Sequence, residues 1–275
     1  MQGHGERAQI GFIGGGNMAR AMVGGLIAAG HPVNEIRVSE PDASQRASLH
    51  AQWPDLETSD DNADVAAWSV LCVLAVKPQV MPDVAQALAG LTPDPLYLSI
   101  AAGVRSDDLS RWLGGSRVVR AMPNQGALVG RSATGLYSDA ALDGLERTTI
   151  DALVATIGTA YWVANEPDID AVTAIAGSGP AYFFLLMEYL EQAGADFGLD
   201  PEAVRHMVAE TAIAAALLAI ESDEPVATLR ARVTSPGGTT AAALDHLAEH
   251  DTAALFAAAF EQARDRAREL ADRTP

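Results

Sequence analysis

An apolar run, "QIGFI" at residues 9–13, passes without a polar break into Gly14, Gly15 and Gly16, and then into the helical pattern "NMARAMVGGLIAAG". Few local structures accept that order. Glycine weakens the interior of a helix or strand, so three together mark a sharp turn. A strand that enters a helix through such a turn is the first half of a strand–helix–strand crossover. Crossovers of that kind are right-handed and lead to parallel sheets.

The chain up to about residue 165 keeps to that plan. Short apolar runs at 8–13, 35–39, 70–76, 96–100 and 117–122 are bounded by Gly, Pro and Asp, and several are apolar throughout, as strands covered on both faces must be. Helical patterns lie between some of them, among them 17–29 before Gly30 and 79–89 before Gly90. The strand signals then stop. Residues 180–193, 201–221, about 225–232, 239–249 and 252–271 read as helices, with Pro180 and Pro201 at first helical positions and Asp200 as an N-cap. The expected fold class is α/β: a mostly parallel sheet over residues 1–165, followed by an all-helical domain over 166–275.

Composition narrows the function. With 275 residues, 49% of them hydrophobic, the chain has material for a large core or two ordinary ones. A formal charge of −18 argues against a nucleic-acid partner, which would need clustered Lys and Arg. Lys77 is the only lysine, which limits any mechanism that needs a catalytic one. The single cysteine, Cys72, lies in "VLCVLAV" and reads as a core thiol; neither it nor the scattered histidines suggest a metal site. The N-terminus shows no secretory leader pattern, and the longest apolar helical run, 212–220, is far short of a membrane span of about 20 residues. A soluble, cytoplasmic protein is expected. That run is apolar nearly all round, so it must be buried on every side, inside a monomer or against another subunit.

Gly14, Gly16 and Ala19 satisfy the G-x-G-x-x-[G/A] pattern at the first strand–helix junction. Gly14 allows the tight turn, Gly16 admits a diphosphate, and Ala19 permits close packing of helix on strand. The anion would sit on Gly14, Gly15, Gly16, Asn17 and Met18, at the positive end of the helix. Glu40, after the second strand, is placed to accept from an adenosine ribose hydroxyl, whereas Arg37 and Arg46 are close enough to hold a 2′-phosphate; NADH and NADPH both remain open. Ala75, Val76, Lys77 and Pro78 end another strand, where ligands of open α/β sheets collect. Ala101 and Ala102 end the next with side chains small enough for a nicotinamide ring to approach.

Taken with "RAMPN" (120–124), "DAVTAIAGSGPAYFF" (170–184) and "VTSPGGTT" (233–240), these motifs resemble the pyrroline-5-carboxylate reductase family from about residue 9 to 270. The resemblance implies a Rossmann-type domain and a helical dimerisation domain. It also implies reduction of the cyclic imine to L-proline by NADPH or NADH, and homodimers that sometimes assemble into decamers. It adds Asn62 to the cofactor contacts and makes Thr240 the group that bonds the ring nitrogen. In the bend, Ser235, Gly237, Gly238, Thr239 and Thr240 would receive the substrate carboxylate; N–H groups from Gly237 through Thr240 are expected to be free, and two glycines keep Cβ atoms out of the way. A threonine acting only as an N-cap is the plainer reading. Ser178 and Gly179 either line the substrate side or simply start a helix. The family usually continues "MPN" with Thr-Pro, where this chain has Gln125 and Gly126. Two other readings are a β-hydroxyacid-dehydrogenase-like oxidoreductase, which needs a lysine that "AYFFLLMEYL" lacks, and a non-catalytic nucleotide sensor, which would not need the polar bend.

Overall fold

A computed structural model describes residues 8–272, so most of the stretch searched above for a leader lies outside it. The strands are β1 (Ile10–Ile13), β2 (Ile36–Ser39), β3 (Glu57–Ser59), β4 (Leu71–Leu74), β5 (Leu96–Ser99), β6 (Val118–Met122), β7 (Ser132–Tyr137) and β8 (Gly158–Trp162). They form one sheet in the order β3-β2-β1-β4-β5-β6-β7-β8, parallel except where β6 meets β7. From β1 the chain builds outward to β2 and β3, then returns to place β4 on the other side. The carboxyl ends of β1 and β4 are therefore the topological switch point, where ligands of such sheets bind.

Between the strands run α1 (Asn17–Ala28), α2 (Ala43–Gln52), α3 (Asn62–Trp68), α4 (Met81–Ala87), α5 (Ser106–Trp112) and α6 (Gly144–Ala155). Strands β1, β4 and β5 are buried throughout. Alternate side chains feed two cores: Phe12, Val73 and Leu98 pack with Met22, Val23, Leu49 and Leu153 on one face, and Ile13, Cys72, Leu74 and Tyr97 with Val65, Met81 and Trp112 on the other. Burial pushes the Cys72 thiol far above its ordinary range, so it stays a neutral core side chain.

The helices continue as α7 (Asp168–Val172), a π-helical turn (Thr173–Gly177), α8 (Gly179–Asp196), α9 (Pro201–Glu221), α10 (Val226–Arg232), α11 (Thr239–Glu249) and α12 (Thr252–Asp272). Asp200 caps α9 as expected, its carboxylate accepting from the Ala203 amide. The stretch ahead of Pro180 is helical, and Pro180 is the second residue of α8.

Two compact units divide the chain: the sheet unit runs to Ser178 and includes Ala263 onward, and the helical unit is Gly179–Gln262. In the sheet unit the end of α12 is fixed by an Arg105–Asp272 ion pair at 2.8 Å and by Leu270, whose Cβ lies 3.1 Å from where a Cβ on Gly103 would stand. In the helical unit, α8 and α9 meet where Gly194 lets Val204 approach, and Tyr182, Phe256 and Phe260 form an aromatic row.

Most apolar side chains of the helical unit are exposed. Phe183, Tyr189, Phe197, Leu218 and Ile220 are each more than 60% accessible, and α10 and α11 bury no residue. Contrary to the expectation from the apolar run alone, Asp168–Asp196 and Pro201–Glu221 are long and apolar enough to cross a membrane by length and composition. Neighbouring residues outside 212–220 extend that run to span length.

Candidate functional site

The glycine turn is built as its chemistry requires. Gly14 has φ +101°, and a Cβ there would lie 2.8 Å from the Ala75 carbonyl oxygen, so glycine alone brings the β1–α1 turn against the end of β4. Gly16 is the N-cap of α1, and a Cβ on it would meet nothing within 4 Å. No side chain caps this helix. Its first internal bond runs from the Arg20 amide to the Gly16 carbonyl, so the N–H groups of Asn17, Met18 and Ala19 lack intrahelical acceptors. Open space, unspent donors and the positive helix end together suit a diphosphate. Arg20 braces the turn by donating to the Gly15 carbonyl at 3.1 Å.

At the end of β2 the Glu40 carboxylate accepts from the amides of Gly15 (2.9 Å) and Asp42 (3.1 Å). Asn62 starts α3 behind the Asp61 cap and accepts from the Ser39 hydroxyl at 2.6 Å. Glu40 therefore touches the glycine turn directly, and Asn62 reaches it through Ser39, whose carbonyl accepts from the Gly14 amide at 2.7 Å. Arg37 is directed elsewhere: it pairs with Glu57 at 3.0 Å and lies over the Trp68 ring.

Beyond β4, Ala75 and Val76 flank the glycine turn, while Lys77 is exposed and makes no ion pair with any described residue. Pro78 opens a 3-10 turn. After β5, Ala101 is buried with its amide donating to the Ser99 hydroxyl, and Ala102 is exposed.

The "RAMPN" and "AIAGS" (174–178) segments meet within the sheet unit. Asn124 donates to the Ala176 carbonyl at 2.8 Å, inside the π turn, and a Cβ on Gly177 would lie 2.9 Å from Met122 Cε. The Asn124 side-chain oxygen accepts from the Gly126 amide at 2.9 Å. Proline at 126 would have no such hydrogen, so this bond depends on the glycine found here. Behind it, buried Arg120 pairs with Glu166 at 2.6 Å, and Glu166 also accepts from the Ser106 amide that begins α5. Asp170 is fully buried beside this pair. Burial raises its pKa, against the opposing pull of Arg120, Arg105 and Arg268. Sequence reasoning missed these supports; "RAMPN" marked one end, but nothing local marks partners 46 residues apart.

In the helical unit, "VTSPGGTT" forms the bend before α11. Gly237 has φ +68°, and Gly238 is the N-cap with no side-chain bond, so neither Thr239 nor Thr240 caps the helix. One expectation is corrected: the Gly238 amide is not free but closes a turn onto the Ser235 carbonyl at 3.0 Å. The Gly237 amide bonds no described residue, and within the helix the amides of Thr239, Thr240 and Ala241 lack intrahelical acceptors, because the Ala242 amide makes the first internal bond. The hydroxyls of Ser235, Thr239 and Thr240 bond no described residue. A Cβ on Gly238 would lie 2.5 Å from Ser235 Oγ, so glycine keeps that hydroxyl in place.

A separate cavity of about 510 Å³ opens at the amino ends of β1, β4 and β5, lined by Gln9, Val70, Leu145 and the acids Glu35, Asp143 and Glu146. It lies at the end of the sheet opposite the switch point. No group of three or more His, Cys, Asp or Glu among the described residues is placed to hold a metal.

A 3-2-1-4-5-6 strand order, an uncapped glycine cradle and an acidic residue after β2 define a dinucleotide-dependent oxidoreductase of the Rossmann class. Residues 9–103 match the family model for NADP oxidoreductase, coenzyme F420-dependent, and residues 166–270 match that for pyrroline-5-carboxylate reductase dimerisation. Curated relatives agree: pyrroline-5-carboxylate reductase from Pseudomonas aeruginosa is 44% identical over 96% of this chain and 97% of its own, and that from Pasteurella multocida 40% identical over 96% and 98%. The solved pyrroline-5-carboxylate reductase of Coxiella burnetii superposes with a TM-score of 0.90 at 38% identity, covering 96% of this chain and 99% of its own. That of Plasmodium falciparum, solved with NADP bound, gives 0.85 at 26% identity over 97% and 99%. This chain belongs to the pyrroline-5-carboxylate reductase family. Its residues 166–270 match that family's dimerisation domain.

Proposed function

We propose that this chain reduces 1-pyrroline-5-carboxylate to L-proline with NADH or NADPH, closing proline biosynthesis. The observation that carries this reading is the bend at 235–240, whose three hydroxyls and uncapped helix start are unspent in a member of this family. When bound, the reduced nicotinamide supplies a hydride to the imine carbon; the ring nitrogen enters protonated and leaves as the secondary amine.

The chain's own task is orientation. The amides of Thr239, Thr240 and Ala241 and the Ser235 hydroxyl receive the substrate carboxylate, with Gly237 and Gly238 leaving room for it. Thr240 bonds the ring nitrogen and is the residue assigned a catalytic role. Gly14, Gly15, Gly16, Asn17 and Met18 hold the cofactor diphosphate. Glu40 and Asn62 hold the adenosine side, Ala75, Val76, Lys77 and Pro78 the middle, and Ala101 and Ala102 the nicotinamide. By role, residues 1–165 hold the cofactor and 166–275 the substrate and the subunit contact, although residues 166–178 and the end of α12 pack in the sheet unit. The working form is a cytoplasmic homodimer, able to assemble into a decamer, with apolar helices facing a second copy and not a lipid. A net charge of −18 disfavours nucleic acid.

Thr240→Ala tests the assignment. Loss of one hydrogen bond to a charged ring is worth about 1.5–3 kcal/mol, so turnover should fall about ten- to a hundredfold while cofactor dissociation constants stay within about twofold. An equal loss of cofactor affinity would give Thr240 a different role.

A further inference from the structure

We propose that Glu40 makes this chain select NADH over NADPH, resting on the reading above that the glycine cradle holds a nicotinamide dinucleotide. An ionised carboxylate is an acceptor only, with about four lone-pair sites on its two oxygens. Here each oxygen already takes one backbone hydrogen: Oε2 from Gly15 and Oε1 from Asp42. Those two bonds fix the plane of the carboxylate at the end of β2 and leave each oxygen one more acceptor site. An unmodified ribose brings two donors, its 2′- and 3′-hydroxyls, and matches that pair. A 2′-phosphate brings negative charge in place of one donor.

Among the described residues, none of the arginines near the cradle offers that phosphate an uncommitted guanidinium. Arg46 touches Glu40 directly, yet one of its nitrogens already donates to the carbonyls of Glu40 (2.7 Å) and Pro41 (3.0 Å), and the other lies 3.7 Å from Asp60. Arg37 is held by Glu57, with Asp64 at 3.9 Å, and lies over Trp68. Arg20 is committed to Gly15 and Gln45. Meanwhile the Glu40 amide bonds the Ser59 carbonyl, which brings Asp60 and Asp61 to the same edge as Glu40 and Asp42. The rim that faces the ribose therefore carries an acidic field, which repels a phosphate. Gly15 is part of the device: a Cβ there would lie 2.9 Å from Leu49 and 3.4 Å from the Glu40 Cβ, so the carboxylate reaches the loop only over a glycine.

The test is binding to the full-length protein without the imine, read by calorimetry, for NADH and NADPH. The native chain should bind NADH at least about tenfold more tightly, and Glu40→Gln, which keeps the size and removes the charge, should shrink that ratio about tenfold. Because Glu40 also braces the loop, a second measurement uses the native chain alone: adenosine 5′-monophosphate should displace bound NADH about tenfold better than adenosine 2′,5′-bisphosphate. NADPH binding as tightly as NADH, equal displacement by the two adenosine nucleotides, or an unchanged ratio in Glu40→Gln would each overturn the proposal. A chain that selects NADH but leaves the imine untouched would keep this inference and remove the reductase reading; one that reduces the imine with NADPH preferred would do the reverse.

Discussion

Asp170 and Gly126 show two ways in which single residues shape this molecule without carrying chemistry. Gly126 occupies a position where a Cβ would lie 2.6 Å from the Arg131 carbonyl oxygen and 2.8 Å from the Asn124 side-chain oxygen. Its missing side chain and its amide hydrogen together orient Asn124. Asp170 pays for its position in a different way. Its pKa is raised by burial, so the folded state binds its proton more tightly than the unfolded chain does. That proton-linked stabilisation is complete below the ordinary value of 3.8 and is lost as pH rises through the folded-state value. Asp170→Asn removes it. The difference in urea midpoint, variant minus native, should therefore become more positive between about pH 4 and about pH 7. A difference that stays flat across that range would mean Arg120, Arg105 and Arg268 fully offset the burial.

At the scale of elements, Glu166 joins three of them: it pairs with Arg120 of β6, accepts from the first amide of α5, and stands just ahead of α7. Arg120 is only 5% exposed, so losing its partner strands a buried charge. Glu166→Ala should cost about 3–5 kcal/mol in chemical denaturation, and Glu166→Gln less, because an amide oxygen still accepts from both partners. Equal, small losses for both would show the pair to be dispensable. What the sequence revealed about elements follows the same physics. Strands β1, β4 and β5 were legible because both faces are covered and their residues are almost all apolar, and β2 and β6, each interrupted by an arginine, because they sit in short, mostly apolar stretches. β3 is three polar residues at one edge of the sheet, β7 is the small-residue run "SATGLY", and β8 alternates at the other edge; none has that signature. The expected helix at 79–89 begins as a 3-10 turn, because Pro78 and Pro82 admit α geometry only from Met81. Glu40 and the glycine turn were legible as candidate site residues, since each follows a strand end or opens a helix, whereas Asn62 came only from the family resemblance. The commitments of Arg37 and Arg46 were not, because they depend on Glu57, Asp60 and Trp68, which only the folded sheet brings near.

For the whole molecule, the helical unit explains why the protein is an oligomer. Its described residues include only a few that are buried, such as Gly194, Val204 and Val208, while Leu218 and Ile220 stand open on α9. A unit so poor in core draws its stability from a second copy, so that stability depends on concentration. Leu218→Glu places a charge on that face. Sedimentation should show the native chain as a dimer or larger and the variant shifted toward monomer, with a lower thermal midpoint; an unchanged assembly would move the interface off α9. The central claim is hydride transfer to a cyclic imine, and isotope labelling tests it most directly. With NADH carrying deuterium at both C4 positions of the nicotinamide and 1-pyrroline-5-carboxylate as acceptor, mass spectrometry should find L-proline with one deuterium on C5. Proline without the label, or no proline with either labelled NADH or labelled NADPH, would contradict the account.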